Sequence, residues 1–275
     1  MSDHKASYAA REYAAIAEYY DATPIYANRA DVGFYLACAA EARGKILELG
    51  CGTGRILIPT AAAGHTIFGL DLSPEMLARC REKLRAQPPD VQARARLLEG
   101  SMTSFELGEQ FALVSMPFRV FQHLLTVDDQ LACLARIRRH LPRGGRLVFD
   151  IFQPNLAMLH DPAFTEEREE FPEIKLPDGR RFRRASRVAA FRRAEQINEV
   201  EIITYVRHPD GRQERLASAF PIRYFFRYEV EHLLARAGFR LQALFGDFDR
   251  SPLRADSPEM IVVATNKDDG GGMSC

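Results

Sequence analysis

The sequence predicts an α/β chain: seven strands in a mostly parallel sheet with helices on both faces, and an antiparallel unit inserted late. Three observations carry this. Short buried-strand patterns alternate with helical ones through residue 152. Helical periodicity then vanishes from about Glu173 to Phe226, and a helix and two strand patterns close the chain. Strict strand–helix alternation implies a parallel sheet that is covered on both faces.

Taken in order, residues 8–43 read as helical. Tyr13, Ile16 and Tyr20 recur at helical spacing, Thr23-Pro24 breaks the pattern, and a second helix starts near Asp31, with Gly44 placed to cap it. Residues 45–49 form an apolar run that suits a buried strand, followed by a glycine-rich turn and a helix over 55–63. A strand at 66–71 leads to Ser73-Pro74-Glu75, with Ser73 as N-cap and Pro74 at the first helical position. Strands are expected at 95–99, 111–116 and 146–152, with a helix over 127–141 stopped by Pro142 and Gly144-Gly145. In the aperiodic stretch, Pro177-Asp178-Gly179 and Pro209-Asp210-Gly211 separate β-branched and aromatic runs, the signature of antiparallel hairpins. A helix over 228–237 and strands at 239–245 and 259–265 complete the pattern. The expected organisation is an N-terminal helical lid (1–44), a core (45–152), the antiparallel insert (153–226), the rest of the core (227–266) and a flexible tail (267–275).

Composition narrows the function. Lys plus Arg and Asp plus Glu both number 37, so no net charge draws this chain to nucleic acid or an anionic membrane. No apolar run approaches the ~20 residues of a membrane span, and the N-terminus lacks a signal-peptide core. The five cysteines (38, 51, 80, 133 and 275) are widely spaced without a CxxC pair, which fits reduced thiols in a cytoplasmic protein. The seven histidines are scattered too, and no metal site is expected.

The chemistry concentrates between residues 46 and 71. Gly50, Gly52 and Gly54 sit between a strand and a helix, where a missing Cβ lets backbone approach a ligand. Glu48 ends one strand and Asp71 the next, 21 residues past Gly50, near the offset at which a carboxylate meets a ribose diol. Dinucleotide sites use G-x-G-x-x-G/A; here the third glycine comes one residue early and Arg55 follows it. No Walker lysine follows, which counts against a nucleoside triphosphate.

E-L-G-C-G-T-G-R (48–55), followed by G-L-D-L-S-P-E-M-L (69–77), resembles the first two motifs of the class I S-adenosylmethionine (SAM)-dependent methyltransferases. The resemblance extends through the helix after 127, the L-P-R-G-G-R-L segment and R-Y-E-V-E-H-L-L-A-R-A-G-F near the end. It implies a Rossmann-like sheet, SAM as methyl donor and S-adenosylhomocysteine as product. It implies that Glu48, Gly50 and Gly52, with Cys51 between them, line the methionine part of SAM. Asp71 would take both ribose hydroxyls, Leu72 and Met76 would pack near adenine, and Ser101 and Met102 would hold the adenine edge. Ser101 departs from the family's frequent Asp, and Ala112 stands where the fourth strand commonly carries Asp.

Other residues carry two readings. Tyr20, with Tyr19 and Tyr26, either covers the cofactor as part of a lid or packs a helix. Phe118, after the fourth strand, is core or a wall of the acceptor site; His123 is structural or takes a proton from the acceptor. Arg223, Tyr224 and Arg227 are candidate acceptor contacts where the insert returns to the core. The seven arginines of 180–193 form a solvated face or meet an anion, and Asp247 and Asp249 form a turn or reach the rim.

The reading is methyl transfer to N or O of a small metabolite, in line and driven mainly by proximity and orientation. The insert either folds over the acceptor or pairs with a second copy as a homodimer. One alternative is a nucleic-acid amino methyltransferase, since Ser115-Met116-Pro117-Phe118 nearly matches the [Asn/Asp/Ser]-Pro-Pro-[Tyr/Phe] motif of such enzymes. Another is a SAM-binding protein without catalysis.

Overall fold

The computed structural model describes residues 16–27 and 29–267. Tyr13, Cys275 and most of the expected tail lie outside them. Residues 16–20 are helical, and α1 (Pro24–Ala27) and α2 (Asp31–Ala40) follow. Then come β1 (Ile46–Leu49), α3 (Leu57–Ala62), β2 (Ile67–Asp71), α4 (Pro74–Arg85), α5 (Pro89–Arg94) and β3 (Ala95–Glu99). β4 (Leu113–Met116) leads through a 3-10 turn, Val120–His123, to α6 (Val127–His140) and β5 (Arg146–Phe152). The remaining elements are β6 (Arg168–Lys175), β7 (Arg181–Arg192), β8 (Ile197–Arg207), β9 (Gln213–Arg223), α7 (Arg227–Arg236), β10 (Phe239–Phe245) and β11 (Glu259–Asn266).

Seven strands form one sheet in the order β10-β11-β5-β4-β1-β2-β3. The five from β5 to β3 are parallel, while β11 runs antiparallel to both its neighbours. Alternation along each strand fills two cores. Leu47, Leu49, Val114, Leu147 and Phe149 face α6 and α7; Ile46, Ile67, Leu113, Val148 and Ile261 face α2, α3 and α4. The chain leaves β3 at one edge and re-enters as β4 on the other side of β1. That reversal opens a crevice at the carboxyl ends of β1 and β4, where open α/β sheets bind ligands.

The insert is a separate four-stranded antiparallel sheet, β6-β7-β8-β9. It starts at Arg168, earlier than the turn residues indicate, and its middle connection has neither Pro nor Gly. Gln196 supplies the left-handed residue there, at φ +59°.

Local differences have local causes. The cap expected at Gly44 is absent: α2 ends at Ala40, and Gly44, at φ +159°, is nearly extended. The helix expected from Arg55 begins at Leu57, because Arg55 is turned toward Asp31. The six-residue α5 is too short to show a period. Ser73 caps α4 as expected, accepting from Met76 N–H at 3.3 Å. Among the described residues no helix is long and apolar enough to cross a membrane.

Candidate donor and acceptor site

Glu48 lies one residue before the end of β1, between Gly69 on β2 and Ser115 on β4. Its side chain is 2% exposed, and Oε2 has no hydrogen-bond partner among the described residues. Burial holds its pKa well above the ordinary glutamate range; Arg55 opposes this, while Asp71 and Asp31 add to it. A buried oxygen without a partner is costly, so it marks a place for a donor or a cation.

Beyond it the glycine loop turns with φ +69°, +53° and +83° at Gly50, Gly52 and Gly54. At two of these positions the close neighbour is the protein itself. A Cβ on Gly50 would lie 2.6 Å from Val120, and one on Gly54 would lie 2.5 Å from Cys80 Sγ. At Gly52 the nearest atom to such a Cβ is Met76 Cε at 3.3 Å, and no other atom of the described residues lies within 4 Å, so this side is open. The Cys51 thiol is buried against Gly69, and its N–H donates to Leu70 O. Gly54→Ala is expected to cost about 2 kcal/mol or more, since overpacking alone costs about 1–3 and left-handed alanine about 1. A thermal melt should show a Tm roughly 4–8 °C lower; an unchanged Tm would mean that α4 shifts freely.

Asp71 ends β2 with its carboxylate fixed by two backbone donors, Gly52 N–H at 2.7 Å and Ser73 N–H at 2.9 Å. Burial raises its pKa and these donors oppose the shift. A carboxylate offers about four acceptor directions, more than these backbone groups occupy, so it keeps capacity for a ligand hydroxyl. Met76 is buried beneath the loop and Leu72 is half-buried beside Asp71. Ser101 shares a hydrogen bond with Thr103 at 2.8 Å, and Met102 packs partly against the main core.

After β4 the backbone does something the sequence does not signal. Phe118 and Arg119 are both left-handed, at φ +61° and +66°. Each such non-glycine residue costs about 1–2 kcal/mol. Phe118 N–H donates to Asp150 Oδ1 at 2.8 Å, and Tyr35 O–H donates to the same oxygen at 2.7 Å. Arg29 bridges Asp150 and Asp31 and reaches Glu259 at 2.9 Å; Arg55 forms a double hydrogen bond to Asp31. The sequence alone does not mark Arg29, Asp31 or Asp150 as site residues. Their only signal is weak: single charged residues within otherwise apolar patterns.

The N-terminal segment docks here. Asp21 accepts from Thr53 Oγ1 in the glycine loop at 2.7 Å and from Lys83 at 2.8 Å. Tyr20 stacks on Tyr26 at 4.2 Å, and Tyr26 meets Phe118 edge-on at 5.1 Å. Arg184 of the insert donates to Tyr26 Oη and pairs with Glu170.

His123 sits in the 3-10 turn, 5.5 Å from the ring of Phe220 on the insert. Burial pushes its pKa down to about 4, so the imidazole is neutral at pH 7. The three candidate acceptor contacts have other partners. Arg223 donates to Leu125 O and pairs with Glu229, Tyr224 O–H donates to Arg193 O at 3.5 Å, and the exposed Arg227 pairs with Glu231. Asp249 accepts from Ser251 N–H in a turn, and Asp247 from its neighbour Phe248.

Taken together, a buried acid near the end of β1, a backbone-held carboxylate at the end of β2 and an open Gly52 fit the cationic amino-acid half and the ribose of SAM. This sheet order with that site defines a class I SAM-dependent methyltransferase, and SAM is its donor. Residues 46–145 match a methyltransferase-domain family. The dTDP-3-amino-3,4,6-trideoxy-alpha-D-glucopyranose N,N-dimethyltransferase of Streptomyces venezuelae is 26% identical over 80% of this chain and 85% of that one. The methyltransferase CcbJ from Streptomyces caelestis is 26% identical with a TM-score of 0.72, over 92% of this chain and 96% of that one. CalS10, an amino pentose methyltransferase from Micromonospora echinaspora solved with SAM bound, is 26% identical with a TM-score of 0.63, over 88% and 91%.

Proposed function

We propose that this enzyme methylates nitrogen on a small, amine-bearing metabolite. The observation that carries the reading is the extent of the likeness: it covers the insert as well as the donor core, and two of the three relatives act on amino sugars by name. SAM, when bound, supplies a methyl group already activated by its sulfonium. Glu48 and Asp71 hold the donor, and Leu72, Met76, Ser101 and Met102 lie toward its adenine. Phe118 and Tyr26 form an aromatic wall beyond β4, and the inner face of β7–β9 keeps water from the reacting pair. Catalysis then rests on alignment, since a neutral amine needs only to be placed in line with the S–CH3 bond.

His123 is the candidate for orienting that amine. A pKa of about 4 makes it a poor proton acceptor, so its expected part is to hold the nucleophile as a neutral imidazole. His123→Ala is expected to lower kcat about tenfold, below the usual range for general-base catalysis. SAM affinity should stay unchanged by calorimetry. A wild-type kcat in that variant removes His123 from the mechanism.

The seven arginines of 180–193 support a small acceptor over a polyanion. Six pair with carboxylates: Arg180 with Glu18 and Asp178, Arg181 with Glu173, Arg183 with Glu169, Arg184 with Glu170, Arg187 with Glu201, and Arg192 with Glu195 and Glu199. Arg193 donates to Leu159 O. The face is internally neutralised. Labelled SAM offered with a panel of small amines, hydroxylated analogues and bulk RNA tests the reading. Label in the amines supports it; label in RNA or hydroxyl groups alone overturns it.

A further inference from the structure

We propose that Asp150 is a positioning residue, pinning the left-handed Phe118–Arg119 turn so that the acceptor wall and the donor loop keep one geometry. The inference rests on the methyl-transfer reading of the crevice. Two consecutive left-handed residues, one aromatic, persist only where their surroundings hold them. Here the holder is identifiable. Asp150 lies on β5 with no solvent exposure and accepts the Phe118 N–H directly. Tyr35 O–H fixes the same oxygen and Arg29 the other.

The turn has two contacts that matter for alignment. Val120 fills the space beside Gly50, so its position sets the donor loop from the acceptor side. The Phe118 ring receives the edge of Tyr26 and lies under the guanidinium of Arg29, 4.9 Å from the ring centre. The N-terminal segment therefore closes onto a surface whose backbone would otherwise relax to right-handed or extended conformations. If Asp150 lets go, both contacts move, so the acceptor wall and the Gly50 side of the donor loop shift together while the ribose subsite at Asp71 stays in place.

The test uses the full chain, which contains no tryptophan. Phe118→Trp introduces a single fluorophore on the turn, and a second set without it is assayed with the best amine from the panel. Asp150→Leu is expected to lower kcat about 100-fold, the scale of a small misplacement at a reacting centre. In the Phe118→Trp background it should also red-shift the indole emission, with SAM affinity falling far less than kcat. Arg119→Gly, which removes the cost of the left-handed conformation, should recover much of the lost activity in the Asp150→Leu background. Arg119 also pairs with Glu259 at 2.8 Å, an acid it shares with Arg29, so Arg119→Leu in the same background is the control: it removes that ion pair but keeps the left-handed cost, and should recover nothing. Asp150→Asn keeps an acceptor for the Phe118 N–H and should retain more activity than the leucine variant. If Asp150→Leu does not fold, Asp150→Asn with and without Arg119→Gly decides the matter. Full activity and emission in Asp150→Leu, or no recovery from Arg119→Gly, overturns the proposal. If the wild type turns over no amine, the functional reading fails, while the emission shift still reports whether Asp150 holds the turn.

Discussion

Replacing Asp71 with alanine is expected to raise the SAM dissociation constant by about 100-fold or more. Asp71 ends β2 beside the glycine loop, where the methyl-transfer reading puts the ribose diol, and a hydrogen bond to a charged group contributes about 1.5–3 kcal/mol. Losing two such bonds to a ribose diol amounts to roughly 3 kcal/mol or more, and every 1.4 kcal/mol is tenfold. The glycine loop also loses its hold on Gly52 N–H, which loosens the side of the loop open to ligand. Stability without SAM should change much less, because burial already penalises this carboxylate. Isothermal calorimetry with SAM and S-adenosylhomocysteine, alongside a melt of the unliganded protein, checks both halves. A wild-type affinity in Asp71→Ala would place the ribose elsewhere.

The contrast between Asp71 and Asp150 shows what the sequence makes legible. Asp71 follows an apolar run at a fixed distance from the glycines, so period and spacing alone identify it. The parallel core is largely legible for the same reason: β1, β2, β4 and β5 are short, mostly apolar runs, and the helix after β2 has a clear start at Ser73 and Pro74. Asp150 lies inside an apolar strand, and its partners come from residues 29, 35 and 118. No local pattern joins these, because three-dimensional closure alone brings them together. The left-handed pair at 118–119 is hidden likewise, since neither residue is a glycine or an asparagine. The glycine pattern signals a tight approach, but two of the three approaching groups are Val120 and Cys80 instead of a ligand. Charged residues of the insert are visible as a run, while their pairing needs the strand register that sets each arginine beside its acid.

Glu48→Gln separates stability from function at one atom, and its two effects have opposite signs. In the folded protein without donor, burial raises the Glu48 pKa well above its value in the unfolded chain. Between those two values the folded state keeps a proton that the unfolded state releases, so stability falls as pH rises through that window. Glutamine carries no such penalty. The unliganded variant should therefore melt above the wild type at pH 8, with the advantage shrinking as pH falls toward the ordinary glutamate range. SAM reverses the balance, because its ammonium and sulfonium favour the ionised carboxylate. Glu48→Gln is expected to weaken SAM binding by about 2 kcal/mol or more, the lower end for removing one member of a buried charge pair, or roughly 30-fold. In the wild type, SAM affinity should fall with decreasing pH as a proton competes for Glu48, and the variant should lack that dependence. Melts and calorimetry from pH 5 to 9 read both effects. A variant that is less stable at pH 8, or that keeps the wild-type pH dependence, would mean that Glu48 already has a charged partner in the unliganded enzyme.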